Sequence, residues 1–486
     1  MLFASAAAAE VTLPSLYSDH MVIQRDLPVI VRGRADVGET VSVSFRGQTR
    51  KAVPDKFGQW DVTLPPGKAG GPFCLEVQGT NTIQLSDVLV GDVWVASGQS
   101  NMEFSTGGVI NAEEELKDAN RPNIRLFHVS AGSSTYPLDD LPAATTWVAC
   151  SPELVAHFSA VAFFFGKHIQ DDQKVPIGLI EADWGASAAE AWTSMRALTA
   201  DASLMPVFTV WSHEVDGAAQ LASEMEFENR ETALAKSQGK PLPAFPAHPD
   251  RERITKKPSV IYNAMIAPLT HFPIRGVIWY QGESNAGSGR ELIYANLFQT
   301  LIRDWRRSWG IGDFPFLFVQ IANFQAGPAA GAWPLVREAQ RQTLVLKNTA
   351  MAVTIDIGDP ANVHPKNKQD VGARLALAAR AVAYGEPIEY SGPLFRMLSR
   401  EELGLRIWFD HSNGLIAKGG VLRGFEIAGA DERYFPAEAR IDGQTVVVTN
   451  AAVTEPVFVR YSWKDSPDGN LYNHAGLPAS PFRSQQ

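Results

Sequence analysis

Between residues 91 and 387, short apolar runs alternate with longer segments whose apolar residues recur about every four positions. Continuous apolar runs of this length predict strands covered on both faces, as in parallel sheets. Leu297, Leu301 and Trp305 recur as on one helix face, and Gly310 marks the end of that helix. The pattern predicts a doubly wound α/β domain over residues 91–387, with its site at the carboxyl ends of the strands. The predicted strands are Val93–Ala96, Ile124–Val129, Ile177–Ala182, Gly276–Tyr280, Phe316–Ile321 and Ala352–Ile357.

The regions on either side of this domain have a strand-and-turn pattern. Short β-rich runs separated by Gly, Pro and Asp turns predict a β-sandwich over residues 11–90. The pattern returns after Gly385 and predicts a C-terminal β-rich domain over residues 388–486. Residues 199–258 interrupt the alternation with a charged, predicted helical segment at Glu224–Lys236 and a Pro-rich stretch at 241–249. We interpret them as an insertion over the active face, although an inert surface excursion fits equally well.

The composition narrows the class of protein. The 486 residues are 45% hydrophobic and 20% charged, as in an ordinary globular protein. A net charge of -10 without Lys/Arg runs argues against nucleic acid and anionic membrane as partners. No apolar run reaches the ~18–20 residues that span a bilayer. Cys74 and Cys150 leave open one bridge or two free thiols. The Ala-rich start resembles the end of a secretory signal without its basic segment, and favours a periplasmic or secreted location.

One strand end carries a candidate nucleophile. The run Val93–Ala96 breaks at Ser97-Gly98, and Ser100 follows in the sequence Gly98-Gln-Ser-Asn-Met. Gly98 allows a sharp turn that lifts Ser100 off the strand end and leaves its backbone N–H available. Acyl transfer needs such an exposed hydroxyl beside a backbone donor for the oxyanion. The alternative is an ordinary strand-to-loop junction, where Gly and Ser are common.

Three further polar groups follow predicted strands. They are Asp183-Trp184-Gly185-Ala186-Ser187, Gln281-Gly-Glu283-Ser-Asn285, and the segment from Asp356 through Asp359 and Asn362 to His364. His364 is the best general-base candidate, because an imidazole held by a carboxylate or carbonyl accepts a serine proton near neutral pH. The amides of Gln281 and Asn285 can complete an oxyanion hole with Gly185 and the Ser100 backbone. Each of these residues alone also fits an ordinary structural role. No group has metal-ligand spacing, so we expect neither a metal nor another cofactor.

These motifs together resemble the sialate O-acetylesterase family of SGNH (GDSL-like) hydrolases. The resemblance rests on Gly98-Gln-Ser-Asn-Met, Trp184-Gly185, Trp279-Tyr-Gln-Gly-Glu-Ser-Asn285 and His364-Pro-Lys-Asn-Lys368, and it runs nearly end to end. It implies that Ser100 is the nucleophile and His364 the base. It also implies that Gly185 and an amide of Gln281 or Asn285, with Gln281 preferred, bind the oxyanion. We further expect Gln99, Trp184, Glu283 and Asn263 to contact the substrate.

The sequence departs from the family pattern at two positions. Ala186 stands where the family commonly has a second Gly, and Ala tolerates fewer backbone conformations. Asn362 stands where the family commonly has an acidic residue two positions before the His. An amide cannot offset a developing imidazolium charge as a carboxylate does. We therefore expect Asp359 to orient His364, with Asp356 or a backbone carbonyl near Asn362 as the alternatives.

The resulting prediction is a metal-free carbohydrate O-acetylesterase that forms an acyl-serine intermediate. The resemblance favours 9-O-acetylated sialic acid as the substrate. An acetylated polysaccharide such as xylan or xyloglucan competes with it, because no Arg is placed at the site for a sialic acid carboxylate. A third possibility is a non-catalytic sugar-binding protein derived from a hydrolase. The sequence leaves the oligomeric state open.

Overall fold

A computed structural model describes residues 10–215, 227, 230–235, 237, 240, 243, 254–325 and 327–485. The Ala-rich start lies outside these residues, as do most of the predicted helix at Glu224–Lys236 and most of the Pro-rich stretch at 241–249. Residues 230–235, which belong to that predicted helix, are helical. The expected export of the protein therefore stays a prediction, as does the role of the insertion.

Strands dominate both ends of the chain, and longer helices lie between them. The strands are β1 (Val22–Gln24), β2 (Val29–Arg34), β3 (Val41–Phe45), β4 (Gln48–Ala52), β5 (Gln59–Leu64), β6 (Gly70–Gln78), β7 (Thr82–Gly98), β8 (Arg121–His128), β9 (Val148–Cys150), β10 (Ile177–Asp183), β11 (Gly276–Tyr280), β12 (Phe316–Val319), β13 (Thr349–Ala352), β14 (Leu394–Glu401), β15 (Gly404–Asp410), β16 (Ile416–Ala417), β17 (Phe425–Ala428), β18 (Tyr434–Pro436), β19 (Glu438–Asp442), β20 (Thr445–Thr449), β21 (Phe458–Tyr461), β22 (Leu471–Tyr472) and β23 (Phe482–Arg483).

The α-helices with named bounds are α1 (Ser100–Glu103), α2 (Ala112–Lys117), α3 (Pro152–Val155), α4 (Ala160–Gln173), α5 (Met195–Ala200), α6 (Met205–Val215), α7 (Tyr294–Trp309), α8 (Ala332–Gln342) and α9 (Lys368–Val382). The predicted helix around Leu297–Trp305 is α7, and Gly310 ends it in the left-handed conformation, with φ 65°. Helix ends commonly use glycine in this way, because it has no Cβ to clash there.

The central sheet positions the site. Its strand order is β13-β12-β11-β7-β10-β8-β9, and the pairs are parallel except β8 with β9. Side chains of α7 and α8 join the buried cluster on one face, and those of α4 and α9 join the cluster on the other. The chain therefore has a mixed α/β fold whose central sheet is covered on both faces. The carboxyl ends of β7, β10 and β11 meet at one edge, because parallel neighbours run in the same direction.

Five of the six predicted central strands are confirmed, and the sixth is misplaced. The apolar run predicted as Ala352–Ile357 overlaps strand β13 only at Ala352. Beyond Ala352 the chain leaves the sheet, although Val353 and Ile355 remain buried in the core. The Thr354 hydroxyl donates to the carbonyl of Gln320 at 2.6 Å and fixes this departure. The apolar run therefore reflects burial of a loop rather than strand pairing.

The N-terminal β-rich region is continuous with the central sheet. Strand β7 pairs with β1 and β6 along its first half and with β10 and β11 along its second half. One buried hydrophobic cluster joins side chains of β2 and β3 to those of β7 and α7. The strand thus crosses the predicted boundary at residue 90, and the division into domains stays a prediction.

The C-terminal β-rich region contains the sheets β14-β15-β20-β19 and β18-β17-β21-β23 and the pair β16-β22, around its own hydrophobic cluster. It packs on the α/β region through polar contacts of loop residues. Buried Arg337 of α8 donates to the carbonyls of Lys464 and Asp465, both at 2.8 Å. Gln320 donates to the Ser480 hydroxyl at 2.9 Å.

Cys74 and Cys150 are free thiols. Within the described ranges, no helix combines the length and apolar character needed to cross a membrane. The same ranges hold no group of three or more His, Cys, Asp or Glu side chains arranged to bind a metal ion.

Candidate active site

Ser100 lies at the tip of a sharp turn at the end of β7. Gly98 has a φ of 142°, and a Cβ added there would lie 2.1 Å from the Tyr280 carbonyl oxygen on the neighbouring strand. Only glycine fits this close approach. Gln99 caps α1 in an extended conformation, and Ser100 is the first helical residue. Its backbone N–H therefore has no partner inside the helix, as the oxyanion role requires.

His364 meets Ser100 across the sheet edge. It lies in the loop between β13 and α9, and its Nε2 is 2.8 Å from the Ser100 Oγ. The side chain is half-buried, and that burial lowers the pKa of His364, with a further lowering from the positive charge of Lys368. The imidazole is consequently neutral near pH 7, which is the state that accepts a proton from serine.

Asp359, expected to orient His364, points elsewhere. Its carboxylate accepts from the backbone N–H of Ala361 at 2.9 Å in a tight turn, and it is exposed. Asp356, the first alternative, forms a two-bond ion pair with Arg374 at 2.6 and 2.7 Å. Neither carboxylate bonds to His364, and the His364 Nδ1 has no hydrogen-bond partner among the described residues. The loop turns both acids away, so the structure brings together a Ser–His pair rather than a triad.

The side chain of Asn362 acts on the backbone of the loop. Its Oδ1 accepts from the backbone N–H of His364 at 2.9 Å. This bond fixes the chain conformation just before the imidazole. It does not reach the ring, which is the contact that a carboxylate at position 362 would be expected to supply.

Gly185 lies beside Ser100, as expected. A Cβ added at Gly185 would lie 3.6 Å from the Ser100 Cβ and 2.8 Å from a carboxylate oxygen of Glu103. The absence of a side chain therefore keeps space next to Ser100. Ala186 follows with a φ of 58°, in the left-handed region that disfavours residues with a Cβ. The protein thus carries backbone strain at Ala186, where the family commonly has a glycine.

The amides of Gln281 and Asn285 are engaged in a buried network. Gln281 Nε2 donates to the Ser187 carbonyl at 3.1 Å and to Asn285 Oδ1 at 2.6 Å. Asn285 Nδ2 donates to Glu190 at 2.8 Å. Neither amide forms a hydrogen bond with Ser100. In this arrangement they connect the loops after β10 and β11, and the oxyanion role assigned to them stays a prediction that these contacts do not support.

The side chain of Gln99 is also buried and makes hydrogen bonds within the protein. It is 4% exposed, and its Oε1 accepts from the backbone N–H groups of Gly282 and Ser284, at 3.3 and 3.2 Å. Its own backbone N–H donates to the Tyr280 carbonyl at 3.0 Å. Gln99 therefore ties the turn that carries Ser100 to the loop after β11, and its expected substrate contact stays a prediction.

A polar network that the sequence reasoning missed lies beneath Ser100. Asn101 Nδ2 donates to Glu283 at 2.6 Å and to the Val363 carbonyl at 2.9 Å, while its Oδ1 accepts from the Lys368 ammonium. Asn101, which follows Ser100, is thus bonded to Val363, which precedes His364. Glu283 is thus engaged in an internal bond, and its expected substrate contact stays a prediction. The motifs around Ser100 and His364 contain Asn101 and Lys368, but nothing in their spacing shows that the two side chains meet.

Burial shifts the charges of this network toward neutrality. It lowers the pKa of the Lys368 ammonium to about 7 and raises the pKa of the Glu283 carboxyl. Lys368 is fully buried, and its ammonium lies 5.1 Å from the ring centres of Phe104 and Tyr280. The charged form of Lys368 is stabilised by its hydrogen bond to Asn101 and by these two aromatic faces.

The two remaining predicted substrate contacts differ in position. Trp184 is partly buried, packs against the core, and immediately precedes Gly185 at the edge of the site. Asn263 is buried, and its side chain donates to the Ser134 carbonyl at 3.1 Å. Its backbone carbonyl accepts from Leu138. Asn263 therefore supports the loop of residues 134–138 and makes no contact with Ser100 or His364.

Comparisons with known proteins show which family this chain resembles. The family model described as carbohydrate esterase, sialic acid-specific acetylesterase matches residues 250–381. The sialate O-acetylesterase of Mus musculus is 33% identical, over 97% of this chain and 94% of that protein. The human protein of the same name is 30% identical, over 96% of this chain and 91% of that protein. A crystal structure of a carbohydrate acetylesterase from Xanthomonas citri superposes with a TM-score of 0.85 and 40% identity, covering 98% of this chain and 100% of that chain.

The mixed α/β fold, the Ser–His pair and these relatives define a carbohydrate esterase. Nearly full-length similarity narrows the class further. The chain belongs to the sialate O-acetylesterase family.

Proposed function

We propose that this protein releases acetate from O-acetylated carbohydrates through an acyl-serine intermediate formed on Ser100. The observation that carries the proposal is the 2.8 Å contact between the Ser100 Oγ and the His364 Nε2, at the carboxyl edge of the sheet. The order of Ser100, Gly185, Asn285 and His364 along the chain also supports an SGNH-type arrangement. Retention of both reacting groups in contact argues against the non-catalytic alternative.

The two reacting side chains account for both halves of the reaction. His364 accepts the Ser100 proton as Oγ attacks the acetyl carbonyl, and the backbone N–H groups of Ser100 and Gly185 face the oxyanion. The intermediate then collapses, and His364 returns the proton to the departing sugar oxygen. A water molecule, deprotonated by His364, hydrolyses the acetyl-serine and restores the enzyme. Without a carboxylate on the imidazole, the pair works as a dyad.

The charges around Ser100 favour a neutral sugar over sialic acid. The exposed carboxylate of Glu103 lies next to Gly185 and supplies the negative charge. Burial raises the pKa of the Glu181 and Asp183 carboxyl groups at the end of β10, which favours their neutral forms. In the described part of the chain, no guanidinium contacts Ser100 or His364. A sialic acid carboxylate would meet like charge without a bidentate partner. The names of the relatives keep 9-O-acetylated sialic acid as the second candidate.

Substitution of the nucleophile tests the proposal. Ser100→Ala should remove turnover of 4-nitrophenyl acetate by on the order of 10⁴–10⁶, as in other serine hydrolases, and leave the thermal unfolding midpoint within a few degrees. A fluorophosphonate probe should label the wild type and not this variant. Retention of more than about a tenth of the activity, or equal labelling of both proteins, would refute the assignment. Acetate release from 9-O-acetylated sialic acid and from acetylated xylan then ranks the two substrate classes.

A further inference from the structure

A cavity opens at the same edge of the central sheet as Ser100. It has a volume of about 480 Å³ and lies against the carboxyl ends of β8 and β10. Its polar lining consists of His128, His157, Glu181 and the two hydroxyl residues Thr145 and Thr146. The mechanism uses none of these residues.

The cavity is close to the nucleophile. Strands β8 and β7 are separated only by β10, so their ends lie two strand spacings apart, roughly 10 Å. Ser159 joins the two places directly. Its backbone N–H donates to Glu181 at 3.1 Å, and its hydroxyl donates to the carbonyl of Met102, in the helix that begins with Ser100, at 2.6 Å. The next ring of an oligosaccharide can span this distance.

The charge of Glu103 connects the cavity with the active site. The pKa of His128 is raised, first by its hydrogen bond to Glu181, whereas burial lowers the pKa of His364. In both cases the negative charge of Glu103 acts in the upward direction. Glu103 follows Met102, whose carbonyl accepts from Ser159, and a Cβ added at Gly185 would lie 2.8 Å from the Glu103 carboxylate. Glu103 itself is exposed. A ligand that leaves Ser100 toward the cavity therefore passes an open carboxylate that can accept hydrogen bonds from hydroxyl groups.

The chemistry of the lining suits a neutral sugar ring. The buried Glu181 carboxylate accepts from His128 at 3.3 Å, which leaves the other nitrogen of that exposed ring without a partner among the described residues. Phe158 and Leu154 supply apolar surface for the C–H face of a ring. Among the described residues that line the cavity there is no Lys or Arg, and the His128 imidazole is bonded to the Glu181 carboxyl group. A few placed polar groups on an apolar wall are typical of small-ligand sites.

We propose that this cavity is a subsite for a neutral sugar unit adjoining the acetylated one, and that the substrate is an acetylated oligosaccharide or polysaccharide. The inference rests on the proposed function, since it assigns the neighbouring unit of a substrate whose acetyl group reacts at Ser100. A single O-acetylated monosaccharide would leave the cavity empty and bind more weakly.

Kinetics with two substrates test the subsite. We would compare kcat/KM for acetylated xylo-oligosaccharides with kcat/KM for 4-nitrophenyl acetate, which is too small to fill the cavity. The ratio should fall about tenfold in His128→Ala and in His157→Ala, the scale of one lost hydrogen bond, and the fall should appear in KM. His128→Gln should recover part of it, because an amide can still bond to a hydroxyl. His474→Ala, an exposed imidazole in the C-terminal region, is the matched control and should leave the ratio unchanged.

Several results would overturn the subsite. One is an unchanged ratio in both alanine variants. Another is wild-type kcat/KM on the oligosaccharides no higher than on acetylated methyl xyloside. A third is failure of unacetylated xylohexaose to inhibit hydrolysis of 4-nitrophenyl acetate competitively. If the wild type hydrolyses none of these esters, the proposed function itself fails. If it hydrolyses 4-nitrophenyl acetate and the ratio does not move, only the subsite fails.

Discussion

The effect of Asp359→Asn on turnover distinguishes a catalytic triad from a dyad, because the two arrangements predict losses that differ by orders of magnitude. In triads, replacing the carboxylate by an amide lowers kcat by about 10⁴, close to 5 kcal/mol of transition-state stabilisation. Here the Asp359 carboxylate is exposed, accepts from Ala361 at 2.9 Å, and has no bond to His364. Two unit charges in water interact by about 1 kcal/mol even at 4 Å. The loss of this charge should therefore change kcat/KM by less than about fivefold.

Initial rates with 4-nitrophenyl acetate at pH 7.5 would measure this effect, with thermal unfolding as the check on folding. Asn362→Ala is the informative comparison, because it removes the 2.9 Å bond that fixes the backbone before His364. That loss should cost roughly 1 kcal/mol, or several-fold in rate. We therefore expect Asn362→Ala to lower the rate more than Asp359→Asn does. A fall of a thousandfold or more in folded Asp359→Asn would refute the dyad.

Three further predictions follow from the surroundings of the site. Because burial and then the charge of Lys368 lower the pKa of His364, the acid limb of kcat/KM should have its midpoint below the ordinary value of 6.5; a pH profile with a higher midpoint would contradict this. Asn101→Ala leaves the buried groups of Glu283 and Lys368 without their shared partner, and chemical denaturation should show a loss of about 3 kcal/mol, with kcat at least about tenfold lower; an unchanged unfolding midpoint would count against the network. Ala186→Gly relieves a φ of 58° and should raise stability by about 0.5–1 kcal/mol, so a lower unfolding temperature would argue against strain there.

Local patterns in the sequence sufficed for the elements that carry the site. The apolar runs predicted strands covered on both faces. Gly98 predicted a turn and Gly310 a helix end, because glycine readily adopts backbone conformations that other residues avoid. Ser100 and His364 were found because each follows a predicted strand. Parallel strands bring such ends to one edge, whatever their separation along the chain.

Partners of polar side chains were decided only by tertiary structure. Gln281, Glu283 and Gln99 follow strands as Ser100 does, yet each is used in bonds between loops that are distant in sequence. Position at a strand end does not reveal whether an amide faces the substrate or a neighbouring loop, because both arrangements satisfy its hydrogen bonds. Asp359 lies five positions before His364, but the turn between them directs its carboxylate to Ala361. The sequence alone determined which edge of the sheet carries the chemistry, and three-dimensional packing determined which side chains at that edge remain available for it.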